Sequence, residues 1–198
     1  MTEEHELNSG WILFYHEKNN TKKYNTNTVQ LASINTIESF WKVYNNIPKL
    51  YDFFNKRIKI NSEEKITGSI SFFRENSNPT WEHVTNKKGF EWSVRKYLNE
   101  NELDEYWLNI LLTLIGENYE FSEILNGIRI VDCGNYNKKN YRFEFWFNNK
   151  DYIKYFEENL KNIFDCFSSE KGKKYNSRDI KLIFRDHDNI KETSKIDF

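Results

Sequence analysis

The chain has 198 residues, 38% hydrophobic and 17% aromatic, with 30 acidic against 29 basic side chains and a formal net charge of -1. That length suits one domain, and the many rings offset the lean aliphatic content because each buries a large area. A charge this close to zero excludes a long electropositive track for duplex nucleic acid; two unpaired-looking cysteines argue against a disulfide frame and for a reducing compartment, cytoplasm or nucleus.

Neither the polar start MTEEHELNSG nor any later run has the character of a signal peptide or a membrane span. Alternating apolar residues predict strands at Trp11 to Tyr15 and Thr28 to Ser33. In NTIESFWKVYNNI the period changes. Phe40, Val43, Tyr44 and Ile47 form one helical face, Asn35 with Glu38 reads as a capping box, and Pro48 closes the helix. Strands follow at Ser69 to Arg74 and Phe90 to Arg95, separated by the polar stretch NPTWEHVTNKKG. A second helix runs through NELDEYWLNILLTLIGE, with Leu103, Tyr106, Trp107, Ile110, Leu111 and Leu114 at helical spacing and Gly116 as its stop. Ile128 to Val131 and Tyr141 to Asn148 are the next strands. A third helix begins near Asp151 and carries Tyr152, Phe156, Leu160 and Ile163, before a strand at Ile180 to Phe184.

Strands outnumber helices and often follow one another, which predicts an α+β fold, a mainly antiparallel sheet with three helices on one side. A single domain spans 1–187, and 188–198 reads as a mobile charged tail in which Thr193 and Ser194 are open to modification. Two tryptophans are left over from this core. In YRFEFWFNN, Trp146 alternates with Tyr141, Phe143, Phe145 and Phe147, so it projects with Arg142 and Glu144, away from the helices. Trp81 stands in a loop after Pro79, directly beside Glu82. An aromatic ring next to a carboxylate suits a flat ligand whose edge carries two N–H donors. Guanine has such an edge, and a 7-methylated, cationic guanine adds a cation–π contribution to stacking.

HELNSGW, NTIESFWKVYNNI, WE followed by NKKGFEW, YWLNILLTLIGE and the late EFWF resemble, in order and spacing, the eukaryotic translation initiation factor 4E family of messenger RNA cap-binding proteins, over about residues 5 to 187. The resemblance implies a curved antiparallel sheet with three helices on its convex face and the RNA cap on its concave face. It implies that Trp81 and Tyr24 sandwich 7-methylguanine, with Tyr24 where many members have Trp, that Glu82 grips the guanine edge, and that Trp146 contacts the methyl group. Members commonly bring an Arg and a Lys to the cap phosphates. Here Cys133 falls at the Arg position, Arg142 at the Lys position, and Glu91 at a further position that is often basic. Arg142 is therefore expected to contact phosphate, assisted by Lys138 and Lys139 from the loop CGNYNKKNY.

The second helix has more apolar surface than one face needs, since Leu108, Leu112 and Ile115 lie outside its main arc, and Ile37 and Trp41 edge the first helix. The resemblance implies that this side binds a helical peptide of a 4G-type scaffold or of 4E-binding proteins through His5, Ile37, Trp41, Leu108, Asn109 and Leu112. Glu6 replaces the proline usual after that His, and Asn109 replaces an acidic residue. A monomer that binds capped messenger RNA and recruits the scaffold is expected, with no cofactor, metal or membrane. The histidines are scattered, Cys133 and Cys166 lack a paired His, and no glycine loop cradles phosphate, so an enzyme is not expected. The alternatives are a cap-binding repressor that does not engage the scaffold and, in another class, a nucleotide hydrolase acting on the cap.

Overall fold

The computed structural model describes residues 4–18, 28–56, 58–60, 62–134, 139–155, 181–188 and 193–197. β1 (Glu6–Glu17) and β2 (Thr28–Thr36) lead into α1 (Ile37–Asn46) and a short α2 (Leu50–Asn55). A small ribbon of β3 (Ile58–Ile60) and β4 (Glu63–Lys65) precedes β5 (Thr67–Arg74) and β6 (Phe90–Lys96). α3 (Glu100–Gly116) comes next, followed by β7 (Leu125–Asp132), β8 (Tyr141–Phe147), β9 (Lys181–Asp186) and β10 (Thr193–Asp197). One sheet of eight strands, all pairs antiparallel, runs in the order β10-β9-β6-β8-β7-β5-β1-β2. The expected α+β class holds. No helix among the described residues is long and apolar enough to cross a membrane.

Several boundaries differ from expectation. β2 runs straight into α1, so the capping box is Thr36 with Ser39 rather than Asn35 with Glu38. Pro48 ends α1 but also admits a new turn, and α2 follows within two residues of it, its Phe53 and Phe54 buried and its Tyr51 N–H held by Asp104 of α3 at 3.1 Å. α3 is capped by Asn99 and Glu102 and closes on Glu117 in the left-handed conformation, one residue beyond the expected glycine stop. Thr193–Asp197, within the stretch read as a tail, is an edge strand paired with β9. Of the helix expected near Asp151, a short helical start to residue 155 is described, and Phe156, Leu160 and Ile163 lie outside the described residues.

Residues directly opposite one another in an antiparallel sheet share a face. Leu13, Phe72, Ile128, Phe145, Trp92 and Phe184 form one such row across six strands, on the face that packs with Phe40, Phe53, Leu103, Trp107 and Ile110 of the helices. The opposite face is of different composition. Its first row reads Ile12, Phe73, Gly127, Trp146, Glu91, Arg185, and its second Phe14, Ser71, Arg129, Glu144, Ser93, Ile183. A third row brings His16, Ser69, Val131, Arg142 and Arg95 together.

Candidate functional site

The loop between β5 and β6 carries Trp81, and one buried side chain organises it. Asn86, fully buried, donates from Nδ2 to the carbonyls of Asn78 and Thr80 at 2.6 and 2.9 Å, and its Oδ1 accepts from Asn126 at 2.7 Å and from Ser77 at 3.2 Å. Asn126 reaches the loop because β7 is irregular between Leu125 and Gly127, and such a bulge re-aims a side chain. At Gly89 a Cβ would lie 1.9 Å from the Phe147 carbonyl oxygen, so only glycine allows the loop to return this close to β8. The loop therefore presents Trp81 half-buried and Glu82 exposed.

Trp81 leans over Trp146 of the first row. Its ring lies 6.3 Å from Trp146 and 6.3 Å from His187, at 30° and 26° to them, and His187 is 4.9 Å from Trp146. Trp146 also meets Phe73 edge to face at 5.3 Å across Gly127, where a Cβ would lie 2.5 Å from the Phe73 ring. With Phe14 and Ile12 these rings form an aromatic cluster separate from the main core. Burial pushes His187 down to about 4, so the ring is neutral; Nδ1–H donates to the Asn86 carbonyl at 2.7 Å, leaving Nε2 as a buried acceptor with no partner among the described residues.

Beside the rings lies a charged group. Glu144, fully buried, accepts from Arg129 Nε at 2.6 Å on Oε2 and from Arg142 at 2.6 and 2.7 Å on Oε1. Burial works to raise this carboxyl, but the two guanidiniums outweigh it and hold it below the ordinary range. Glu91, also fully buried, accepts from Arg185 Nη1 at 2.7 Å, and its Oε2 has no partner among the described residues. Burial first, then the Glu144 charge, push Glu91 up to about 7. His16, bonded to Ser71 at 2.6 Å and Thr28 at 3.0 Å, is lowered to about 3 by burial and by Arg129.

The structure brings Trp81, Glu82, Trp146 and Arg142 to one region, with a difference from expectation. Trp146 faces away from the helices as its alternation predicts, yet it is 1% exposed because Trp81 and His187 close over it. Tyr24 and Lys138 lie outside the described residues. Lys139 does not join Arg142; its Nζ bonds Asn55 and sits 5.4 Å over the Tyr51 ring, against α2 on the other side of the sheet. Arg129, Arg185, His187 and Asn86 were not expected in the site. A charged residue inside an apolar strand, as in GIRIV, was the available signal for a buried partner.

The helix side carries a second candidate surface. Ile37, Trp41 and Leu112 are 42%, 39% and 36% exposed, large values for apolar side chains, while Leu108 and Asn109 are half-buried and Ile115 is core. Trp41 is held edge-on by Phe40 and Tyr44 at 5.0 and 6.0 Å, so it presents a supported ring. His5 is exposed and clasps Glu38 at the start of α1 through its backbone N–H at 2.9 Å and Nδ1 at 2.7 Å.

Residues 6–195 match the family described as eukaryotic initiation factor 4E. Eukaryotic translation initiation factor 4E1 of Drosophila melanogaster is 33% identical over 135 residues, 68% of this chain and 48% of that protein. The chain spans about half the length of the curated relatives it matches. The complex of C. elegans eIF4E-3 with the 4E-binding protein Mextli is similar with a TM-score of 0.69 at 20% identity, covering 97% of this chain and 100% of that one. The complex of Ascaris suum eIF4E-3 with m7G cap gives 0.68 at 22% identity, covering 93% and 92%. At these identities the likeness to the solved structures is one of fold.

Proposed function

Because the chain belongs to the eukaryotic initiation factor 4E family, we propose that it binds the 7-methylguanosine cap of messenger RNA and recruits a partner protein through its helices to start translation, in the cytoplasm. The observation that carries this is Trp81 over Trp146, an aromatic cluster set apart from the core and bordered by guanidinium groups. A positively charged, flat base is stabilised by such rings through stacking and cation–π attraction. Trp81 and Tyr24 hold the base faces, the exposed Glu82 accepts from N1–H and the exocyclic amine, and Trp146 meets the methyl group. Arg142 contacts phosphate. Lys138 is its expected companion, whereas Lys139 has to leave Asn55 before it takes part.

Entry of the base requires Trp81 to swing off Trp146. The lost ring contact costs about 0.5–1.5 kcal/mol, which stacking on the base, about 1–3 kcal/mol, offsets. Exposed Trp41, Ile37 and Leu112 favour recruitment of a helical peptide over a repressor that ignores the scaffold, and His5, Leu108 and Asn109 complete that surface. Titration of tryptophan fluorescence with 7-methyl-GTP and then GTP tests the base site. The methylated nucleotide is expected to bind far more tightly, and Glu82→Ala to lose about 1–3 kcal/mol of its binding; equal binding of the two nucleotides defeats the reading.

A further inference from the structure

Glu91 puts a buried carboxyl group next to the ring cluster, in a site proposed to hold a polyanion. Its surroundings resolve the contradiction. Trp146, Glu91 and Arg185 stand directly across β8, β6 and β9 in one row, so the Glu91 carboxylate draws a guanidinium from the next strand to the edge of the cluster, at 2.7 Å. Arg142 arrives from the other side. Arg142 Nη2 and Arg185 Nη1 both approach a single oxygen, Glu144 Oε1, at 2.6 and 3.9 Å, so the two guanidiniums sit side by side.

The layering by depth decides what an incoming ion meets. Both carboxylates are fully buried and Arg129 is 1% exposed, whereas Arg142 and Arg185 are 16% and 23% exposed. Glu144, Glu91 and Arg129 form the floor, and Arg142 and Arg185 the rim. Three arginines against two carboxylates leave an excess of positive charge, and each guanidinium offers five N–H donors of which its carboxylate uses only some. Two bonds to Glu144 hold the Arg142 plane and one bond to Glu91 anchors Arg185, which makes them better prepared for phosphate oxygens than mobile lysines.

We infer that Arg185, positioned by Glu91, is a ligand-binding residue of this site and that with Arg142 it forms a two-guanidinium contact for the phosphate chain of the bound nucleotide. This rests on the base-binding reading above for its ligand. Glu91 is a positioning residue; it does not touch the ligand.

The test compares 7-methyl-GTP with 7-methylguanosine on the full chain. Arg185→Gln is expected to weaken the triphosphate roughly tenfold or more, the factor a hydrogen bond to a charged group supplies, while leaving the nucleoside unchanged. Arg185→Lys should restore part of the difference and increase its sensitivity to salt. Because Arg185→Gln strands a buried carboxylate, the double variant Glu91→Gln, Arg185→Gln is measured as well; it removes the pair together and should fold while keeping the reduced triphosphate preference of Arg185→Gln. Inorganic triphosphate separates this inference from the base reading. It should raise the melting temperature of the wild type and of Lys42→Gln, a control on α1, and clearly less that of the double variant. If the wild type fails to bind the nucleoside yet shows this shift, the base reading falls and the anion contact stands. An unchanged triphosphate preference in the double variant, or equal melting shifts in all three proteins, overturns the inference.

Discussion

The two faces of the sheet are built from the same strands by opposite means. On the helix side, rows such as Leu13, Phe72, Ile128, Phe145, Trp92 are apolar from strand to strand and pack with the helices. On the other side, rings and charged groups share the rows, and the buried charges are offset by ion pairs, Arg129 and Arg142 with Glu144 and Arg185 with Glu91. The first face tolerates reshuffling of like-sized side chains, while the second depends on its ion pairs. Non-directional contact stabilises one side, and directional contact the other.

Neighbours on β8 put this contrast to the largest test. Phe143 points into the core and Glu144 to the opposite face, both fully buried. Phe143→Ala should lose about 3–5 kcal/mol by leaving a cavity. Glu144→Gln should lose about as much for another reason, because it leaves Arg129 buried without its counter-ion. Denaturant unfolding measures both. A near-neutral Glu144→Gln breaks the contrast, since the charged face would then not need its pairing.

A smaller effect separates the faces by pH. His16 and His187 have folded values lowered to about 3 and about 4, so below the ordinary 6.5 the unfolded chain takes up two protons that the fold refuses. Glu91, raised to about 7, works in the other direction, binding a proton in the fold above 4.5, where the unfolded carboxyl has released its own. From these three groups the unfolded chain holds one proton more, which contributes a fall in stability of about 1.4 kcal/mol per pH unit as pH drops from about 6.5 to about 4.5. Glu91→Gln removes the opposing group and should steepen that fall about twofold. A slope that Glu91→Gln leaves unaltered means that the carboxyl titrates as an ordinary surface group.

The smallest stability changes are expected at Trp81 and Trp41, where binding is the informative readout. Trp81→Ala and Trp41→Ala should each cost about 1 kcal/mol or less, because neither ring is fully buried. Trp81→Ala should abolish 7-methyl-GTP binding and spare a helical peptide docking on α1 and α3. Trp41→Ala should do the reverse. Loss of both activities from either substitution erases the division of labour between the faces.

Periodicity within the chain determined much of this. Alternation in YRFEFWF assigns Phe143 and Phe145 to the core and Trp146 to the other face, and the helical spacing of Leu103, Trp107, Ile110 and Leu114 defines the buried side of α3, because both repeats are local consequences of backbone geometry. Local signals also misplaced the start of α1 by one residue and missed α2, where a Pro-terminated helix and a new turn lie too close together to separate by pattern. Trp81 beside Glu82 was legible as a pair, but not its contact with His187, 106 positions further along the chain. Only the tertiary structure decided that Glu91, Trp146 and Arg185 form one row, since β6 takes its partners from β8 and β9 and pairing register between strands so distant in sequence leaves no periodic trace. The sign of the charge at the rim was settled in the same way. A glutamate read alone is an anion, but buried beneath an arginine from another strand it becomes the support for a cation.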